Sequence, residues 1–161
     1  MASPRVVVAG NLVLDQADGG AWIPGGPALY AARMAKALGA EVTLVTGRPA
    51  GYPAGALRGL DLIERPAEAA CRYANTYDAQ GNRAQVLLDP GEPLVSETWP
   101  GGLIDALIVA PAYHELTALP PVDARVVMVS LQGPLRSVDG DRRVVHAADA
   151  VAAATPFIEP G

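Results

Sequence analysis

The sequence predicts an α/β fold: a mostly parallel sheet flanked by helices, carrying a small β appendage. Three observations support this. Residues 5–10 hold the unbroken run Val-Val-Val-Ala, the pattern of a parallel strand covered on both faces. Residues 23–47, IPGGPALYAARMAKALGAEVTLVTG, read as a glycine loop, an amphipathic helix, a glycine stop and a buried strand. Apolar strand segments then alternate with short helical or loop segments, a rhythm that favours a parallel sheet with helices on its faces.

In order, residues 11–15 continue the first strand, with Leu12 and Leu14 on one side and Asn11, Val13 and Asp15 on the other. Gly19 and Gly20 turn the chain, and residues 21–23 return it to the glycine pair Gly25–Gly26. Pro27 suits the first helical position, where its missing N–H costs nothing. Tyr30, Met34, Ala37 and Leu38 recur at helical spacing as the apolar face, opposite Arg33 and Lys36, and Gly39 ends the helix. Val42, Leu44 and Val45 mark the next strand. Residues 49–60 hold at most a short helix near 54–58, and 60–64 form a short strand. Residues 71–77 and 83–88 make a hairpin across 78–82, where Gly81 takes a positive φ. Residues 103–110 and 125–130 are apolar strands and 147–154 a third, with helical or loop segments at 113–119 and 135–147. The best loop is 90–100.

Composition narrows the function. At 161 residues the chain is one domain long and can bury about two-thirds of its unfolded surface. The net charge is −5 and Lys36 is the sole lysine, so no basic footprint for nucleic acid or an anionic membrane exists. Cys71, the single cysteine, has no partner for an internal disulfide and reads as a half-buried strand thiol. The run at 6–9 meets Asn11 and Asp15 too soon for a signal peptide, and nothing reaches the ~20 apolar residues of a membrane span. A cytoplasmic location is the expectation.

Several motifs fail. His114-Glu115 opens like H-E-x-x-H but lacks the second histidine, and His146 is isolated. Asp139-Gly140-Asp141 has no acidic ladder of the calcium-loop kind and reads as a solvated turn. There is no phosphate-binding P-loop, no G-x-G-x-x-G after a strand, and no nucleophile elbow around Ser130 or Ser137. No metal site and no complete catalytic set is present in the residues alone.

What remains converges at the C-terminal end of the first strand, where ligands of α/β sheets bind. Asn11 and Asp15 leave that end, and the Asp15 carboxylate can accept hydrogen bonds from two vicinal hydroxyls. Gly25 and Gly26 let backbone N–H groups approach the same polyol, since a helix leaves its first donors unpaired. A turn carboxylate is the equal alternative for Asp15. The face shared by Tyr73, Asn75 and Tyr77 mixes rings with an amide, which suits either packing or a cover over a polar ligand.

These stretches, V-V-V-A-G-N-L-V-L-D followed by G-G-P-A-L-Y-A-A-R-M-A-K-A-L-G-A-E-V-T-L-V-T-G, resemble the N-terminal half of a ribokinase-like (PfkB-type) carbohydrate or nucleoside kinase. Residues 72–88 with Tyr77, Gly81, Arg83 and Gln85 are similar to the lid of some members, as are Ala110-Pro111 with Glu115, and L-Q-G-P-L-R at 131–136. The resemblance runs along essentially the whole chain. It implies a Rossmann-like, truncated α/β domain over 1–161, with lid strands around 12–23 and 71–88. It implies phosphoryl transfer from ATP, with Mg2+, to a hydroxymethyl group of a sugar, nucleoside or related polyol. Asp15 would grip substrate hydroxyls, and Gly25 and Gly26 would line the same substrate. The family's Asn after the glycine pair is Tyr30 here. Lid strands around 73–88 would close over the substrate and could pair two subunits as a homodimer.

The sequence also departs from the family. The D-T-x-G-A-G-D motif, with its anion hole and catalytic base, does not occur, and Phe157 stands where the Asn of Asn-x-x-Glu is expected, with Glu159 fitting only in a shifted register. Losing a general base alone costs about 10²–10⁴-fold, and phosphoryl transfer rests on positioning and charge stabilisation. The chain alone is therefore expected to be inactive. Two readings stay open: one half of a kinase that associates with a missing C-terminal half, or a non-catalytic polyol- or nucleoside-binding module. A doubly wound sheet stopped halfway is expected to expose an edge strand and an apolar face.

Overall fold

The computed structural model describes residues 2–95 and 98–158. Its main sheet is wholly parallel and has the order β5-β4-β1-β8-β9. These strands are β1 (Arg5–Ala9), β4 (Glu41–Pro49), β5 (Asp61–Ala67), β8 (Ile104–Val109) and β9 (Ala124–Val129). The four-residue run Val6–Ala9 fills the centre and is buried on both faces, as its unbroken apolar sequence requires. Val6 and Val8 pack with Ala28, Leu29 and Ala32 of helix α1 (Pro27–Ala37). Val7 and Ala9 face Leu107, Leu116 and Phe157 on the other side.

A second sheet, β3-β2-β6-β7, stands over the C-terminal end of the first. It comprises β2 (Val13–Ala17), β3 (Trp22–Gly25), β6 (Cys71–Tyr77) and β7 (Arg83–Asp89). The expected hairpin β6–β7 is present, with Gly81 at φ 82° in its turn. Residues 11–15 do not continue β1. The backbone of Gly10 runs so close to Ala110 that a Cβ there would strike the Ala110 carbonyl oxygen, and the chain crosses at this point into the second sheet. The boundary is invisible in an apolar run that simply carries on.

Helix α1 starts as expected, with Gly26 at φ 96° before Pro27, and Gly39 at φ 91° closes it. Its buried face is different. Ala28, Leu29 and Ala32 are covered, whereas Tyr30, Met34 and Leu38 are 56%, 62% and 79% exposed. The helix lies close on β1 and β4 through small side chains, and the larger apolar residues turn outward. The 54–58 helix appears as one 3-10 turn, Ala54–Leu57.

Two further expectations are corrected. Residues 147–154 are not a strand: helix α2 (Ala150–Ile158) begins where the Asp149 carboxylate accepts the Ala152 N–H at 2.8 Å. An N-cap and four alanines in the first five helical positions outweigh an apolar run that suits strand and helix alike. Residues 135–147 are not helical either. They form the hairpin β10 (Arg136–Val138) and β11 (Val144–His146). Its turn is held by the Asp139 carboxylate, which accepts N–H bonds from Asp141 and Arg143. Cys71 is fully rather than half buried, and burial pushes its thiol up to about 12, so it is chemically quiet. The 90–100 loop is irregular in its described part, and Glu159 lies outside the described residues.

The edge strand β9 leaves Val126, Val127 and Met128 between 45% and 52% exposed. Consecutive residues point to opposite faces, so this edge is uncovered on both sides.

Candidate functional site

Where the second sheet meets the end of the main sheet, a cavity of about 160 Å³ forms around Asp15, Gly26, Tyr30, Tyr73 and Arg136. Asp15 sits mid-strand on β2, between Ile23 of β3 and Tyr73 of β6. Gly25 accommodates it: a Cβ on Gly25 would collide with the Asp15 carboxylate. Gly26 plays a second part, because its φ of 96° and the Val13 Cβ only 2.9 Å from an added Cβ both exclude a side chain. The glycine pair therefore makes room for Asp15 and turns the chain into α1.

Burial pushes the Asp15 carboxyl above 3.8, opposed by the Asn75 hydrogen bond and by the charges of Arg136 and Arg83. Asn75 is 6% exposed; its amide donates to Asp15 at 3.4 Å and accepts from Gln85 at 2.8 Å. Asn75 is thus a positioning residue behind Asp15. The Tyr73 hydroxyl donates to the Ala112 carbonyl at 2.9 Å, so Tyr73 offers a ring wall and no free donor. The Arg136 guanidinium lies 4.6 Å from the centre of that ring and donates to the same carbonyl at 2.7 Å. Tyr73 and Asn75 are packed within the sheet, whereas Tyr77 of the same face is 50% exposed.

Asn11 is not brought to the cavity. Its amide donates to the Glu92 carbonyl at 2.6 Å and accepts from the Gly47 N–H at 3.0 Å, tying β1, β4 and the 90–100 loop together. Asp15, Gly25, Gly26, Tyr73 and Asn75 do come together.

Sequence reasoning missed the residues that complete the site. Glu115 is 6% exposed and accepts N–H bonds from Asn11 (3.0 Å), Ala112 (2.7 Å) and Tyr113 (2.8 Å). Burial raises its carboxyl, against the pull of those three donors. It shapes the segment whose Ala112 carbonyl anchors Tyr73 and Arg136. Arg83, Gln85, Gln132 and Arg136 line the cavity from β7 and from the turn before β10. Their only sequence signal was membership in stretches noted for likeness.

An alanine at Gly25 is expected to push the Asp15 carboxylate from its seat and to weaken a ligand held by that carboxylate by about tenfold, roughly one good hydrogen bond. Calorimetric titration checks the affinity, and unchanged circular dichroism separates this from misfolding.

No protein-family model matches the sequence, and no curated protein matches it significantly. Solved structures do match. A pyrophosphate-dependent kinase in the ribokinase family, complexed with a pyrophosphate analogue and myo-inositol, superposes over 88% of this chain with a TM-score of 0.66 at 14% identity. The fold is that of the ribokinase family. A sulfate complex of a pyrophosphate-dependent kinase of that family gives 0.64 at 16% identity, and a converted pyrophosphate-dependent myo-inositol kinase 0.66 at 15%, each over 88% of this chain. The chain covers 54%, 55% and 52% of these three structures respectively, so it spans about half the length of the ribokinase-family structures it matches.

Among the described residues, no three His, Cys, Asp or Glu side chains gather closely enough to hold a metal. Among the described residues, no helix is long and apolar enough to cross a membrane.

Proposed function

We propose that this chain is the acceptor-binding side of a ribokinase-like kinase, holding a polyol, sugar or nucleoside hydroxyl pair on Asp15. One observation carries this reading: a carboxylate desolvated at the floor of a cavity, backed by Asn75 and Gln85, with Gly25 making room beside it. A half-buried carboxylate with one long side-chain hydrogen bond keeps acceptor capacity for a ligand. The neighbour complexed with myo-inositol supports a polyol as ligand.

In this reading the 161 residues form a single incomplete domain with lid strands around 12–23 and 71–88. The donor, ATP or pyrophosphate, and its magnesium are served by a further segment or chain. The uncovered β9 edge, apolar on both faces, supports such an addition. Pairing of lid strands into a homodimer and a cytoplasmic setting belong to the same proposal. The second reading is a non-catalytic polyol- or nucleoside-binding module, which uses the same Asp15 cavity without transfer.

The test is a calorimetric titration of the pure chain with myo-inositol, D-ribose, adenosine and their phosphate esters, beside a transfer assay with ATP and with pyrophosphate. Saturable binding to some of these, without transfer, is expected. Transfer by the chain alone sinks the claim that a donor side is needed, and binding to none of them sinks the acceptor site.

A further inference from the structure

Strand β7 reaches the candidate site through an irregular register. Arg72 of β6 lies opposite Asp89, whereas Tyr73 lies opposite Leu87, so Leu88 is the extra, unpaired residue of a β-bulge. From Tyr73 to Tyr77 the pairing then runs regularly and sets Gln85 opposite Asn75. Without the bulge, the Arg72–Asp89 pairing would carry on as Tyr73–Leu88 and Asn75–Val86. A slip of one residue turns every side chain to the other face. Val86 would then stand behind Asn75, and Gln85 and Arg83 would leave the cavity that they line. The bulge therefore decides which side chains of β7 the site receives.

Arg142 holds that bulge. Strand β7 is the edge of the second sheet, and the β10–β11 turn reaches across to it. The Leu87 N–H donates to the Arg142 carbonyl at 3.0 Å, and the Arg142 guanidinium donates to the Leu88 carbonyl at 2.8 Å. The Val86–Arg143 bridge joins the same two segments. Val138 and Val144, on either side of the turn, pack against the cluster that holds Tyr73 and Leu87, so Arg142 projects from a seated hairpin.

The backbone at Arg142 is itself unusual. Asp139 and Arg143 close a turn over residues 140–142, the Arg142 N–H donates to the Asp139 carbonyl at 3.0 Å, and Arg142 takes φ 62°. Such a loop favours glycine at its left-handed position, yet the glycine of this loop is Gly140. An arginine kept in left-handed backbone is an outlier, and the Leu88 carbonyl gives its side chain a role there. We propose, resting on the reading of Asp15 as the acceptor-binding carboxylate, that Arg142 is a positioning residue for that site: by capping the Leu88 bulge it fixes β7 in the register that sets Gln85 behind Asn75. Gln85 holds Asn75 at 2.8 Å, and Asn75 in turn donates to Asp15.

The experiment uses the pure chain with Arg142→Gly and Arg142→Lys. Glycine suits the left-handed backbone and Arg142 is exposed, so the glycine variant is expected to fold and to lose only the guanidinium. Cross-strand nuclear Overhauser contacts of Asn75 report the register: with Gln85 in the wild type, and with Val86 in a detectable fraction of Arg142→Gly. Calorimetry with myo-inositol, D-ribose and adenosine reports the site. The affinity of each probe that the wild type binds should fall about fivefold or more, the loss of one hydrogen bond behind Asp15. Lysine keeps a long cationic donor and should restore the register and most of the affinity. An Asn75–Gln85 contact unchanged in Arg142→Gly overturns the proposal whatever the ligands do. So does a moved register that leaves untouched the affinity of a probe weakened by Asp15→Asn. A glycine variant that no longer melts cooperatively makes Arg142 a stability residue and overturns its positioning role. A moved register in a chain whose wild type binds none of the probes keeps Arg142 as the holder of the register and overturns the acceptor reading instead.

Discussion

Glu115→Ala should be the most damaging single substitution in the chain. It leaves the N–H groups of Asn11, Ala112 and Tyr113 without their acceptor at the junction of both sheets. A buried donor left unpaired costs about 1–3 kcal/mol, so three together cost about 4 kcal/mol or more. Against a total stability of about 5–15 kcal/mol, that places the variant near unfolding at room temperature. Urea denaturation followed by circular dichroism measures it. Glu115→Gln keeps the shape but turns an amide N–H toward one of the donors, and should cost about half as much. A loss under 1 kcal/mol in the alanine variant would show that Glu115 does not hold the junction.

Asp15→Asn should move binding and stability in opposite directions. In the proposed reading the carboxylate accepts from ligand hydroxyls with its full charge, and such bonds are worth about 1.5–3 kcal/mol, so polyol affinity should fall about 10- to 100-fold. Stability should rise, because burial disfavours the charge and asparagine carries none. The pH dependence has a definite sign. A folded-state pKa above 3.8 makes the folded protein hold its proton more tightly than the unfolded chain. That contribution is complete below 3.8 and disappears as pH rises through the folded value. Glu115 acts in the same direction relative to 4.5. The stabilising contribution of Asp15 to the wild-type melting temperature should therefore grow as pH falls toward 3.8, and Asp15→Asn should lack it. Ligand affinity should run the other way, strengthening with pH as Asp15 ionises. A variant that binds polyol like the wild type would remove Asp15 from the site.

Sequence reasoning succeeded where the signal is local. The central strand was legible because Val6–Ala9 is apolar at every position, which only a strand covered on both faces tolerates. The 71–89 hairpin was legible from alternation and Gly81. The limits of α1 followed from Gly26-Pro27 and Gly39. Its inward face was misjudged, since size and hydrophobicity favour Tyr30 and Met34 while the close approach to β1 and β4 admits only small side chains and Leu29. The 147–158 region failed for a related reason: an alanine-rich apolar run has no period of its own, and the Asp149 cap decided it.

By itself, the sequence determined a parallel α/β body, the 71–89 hairpin, and a glycine pair beside Asp15, because each depends on neighbours a few residues apart. Only the tertiary structure decided what those residues do. Gly25 makes space for Asp15 across a strand pair, Asn75 props that carboxylate from 60 residues away, and Glu115 reaches Asn11 across 104. Arg83, Arg136 and Arg143 come to line one space only because two hairpins meet. Contacts between distant segments depend on burial and charge in three dimensions, which no local pattern encodes.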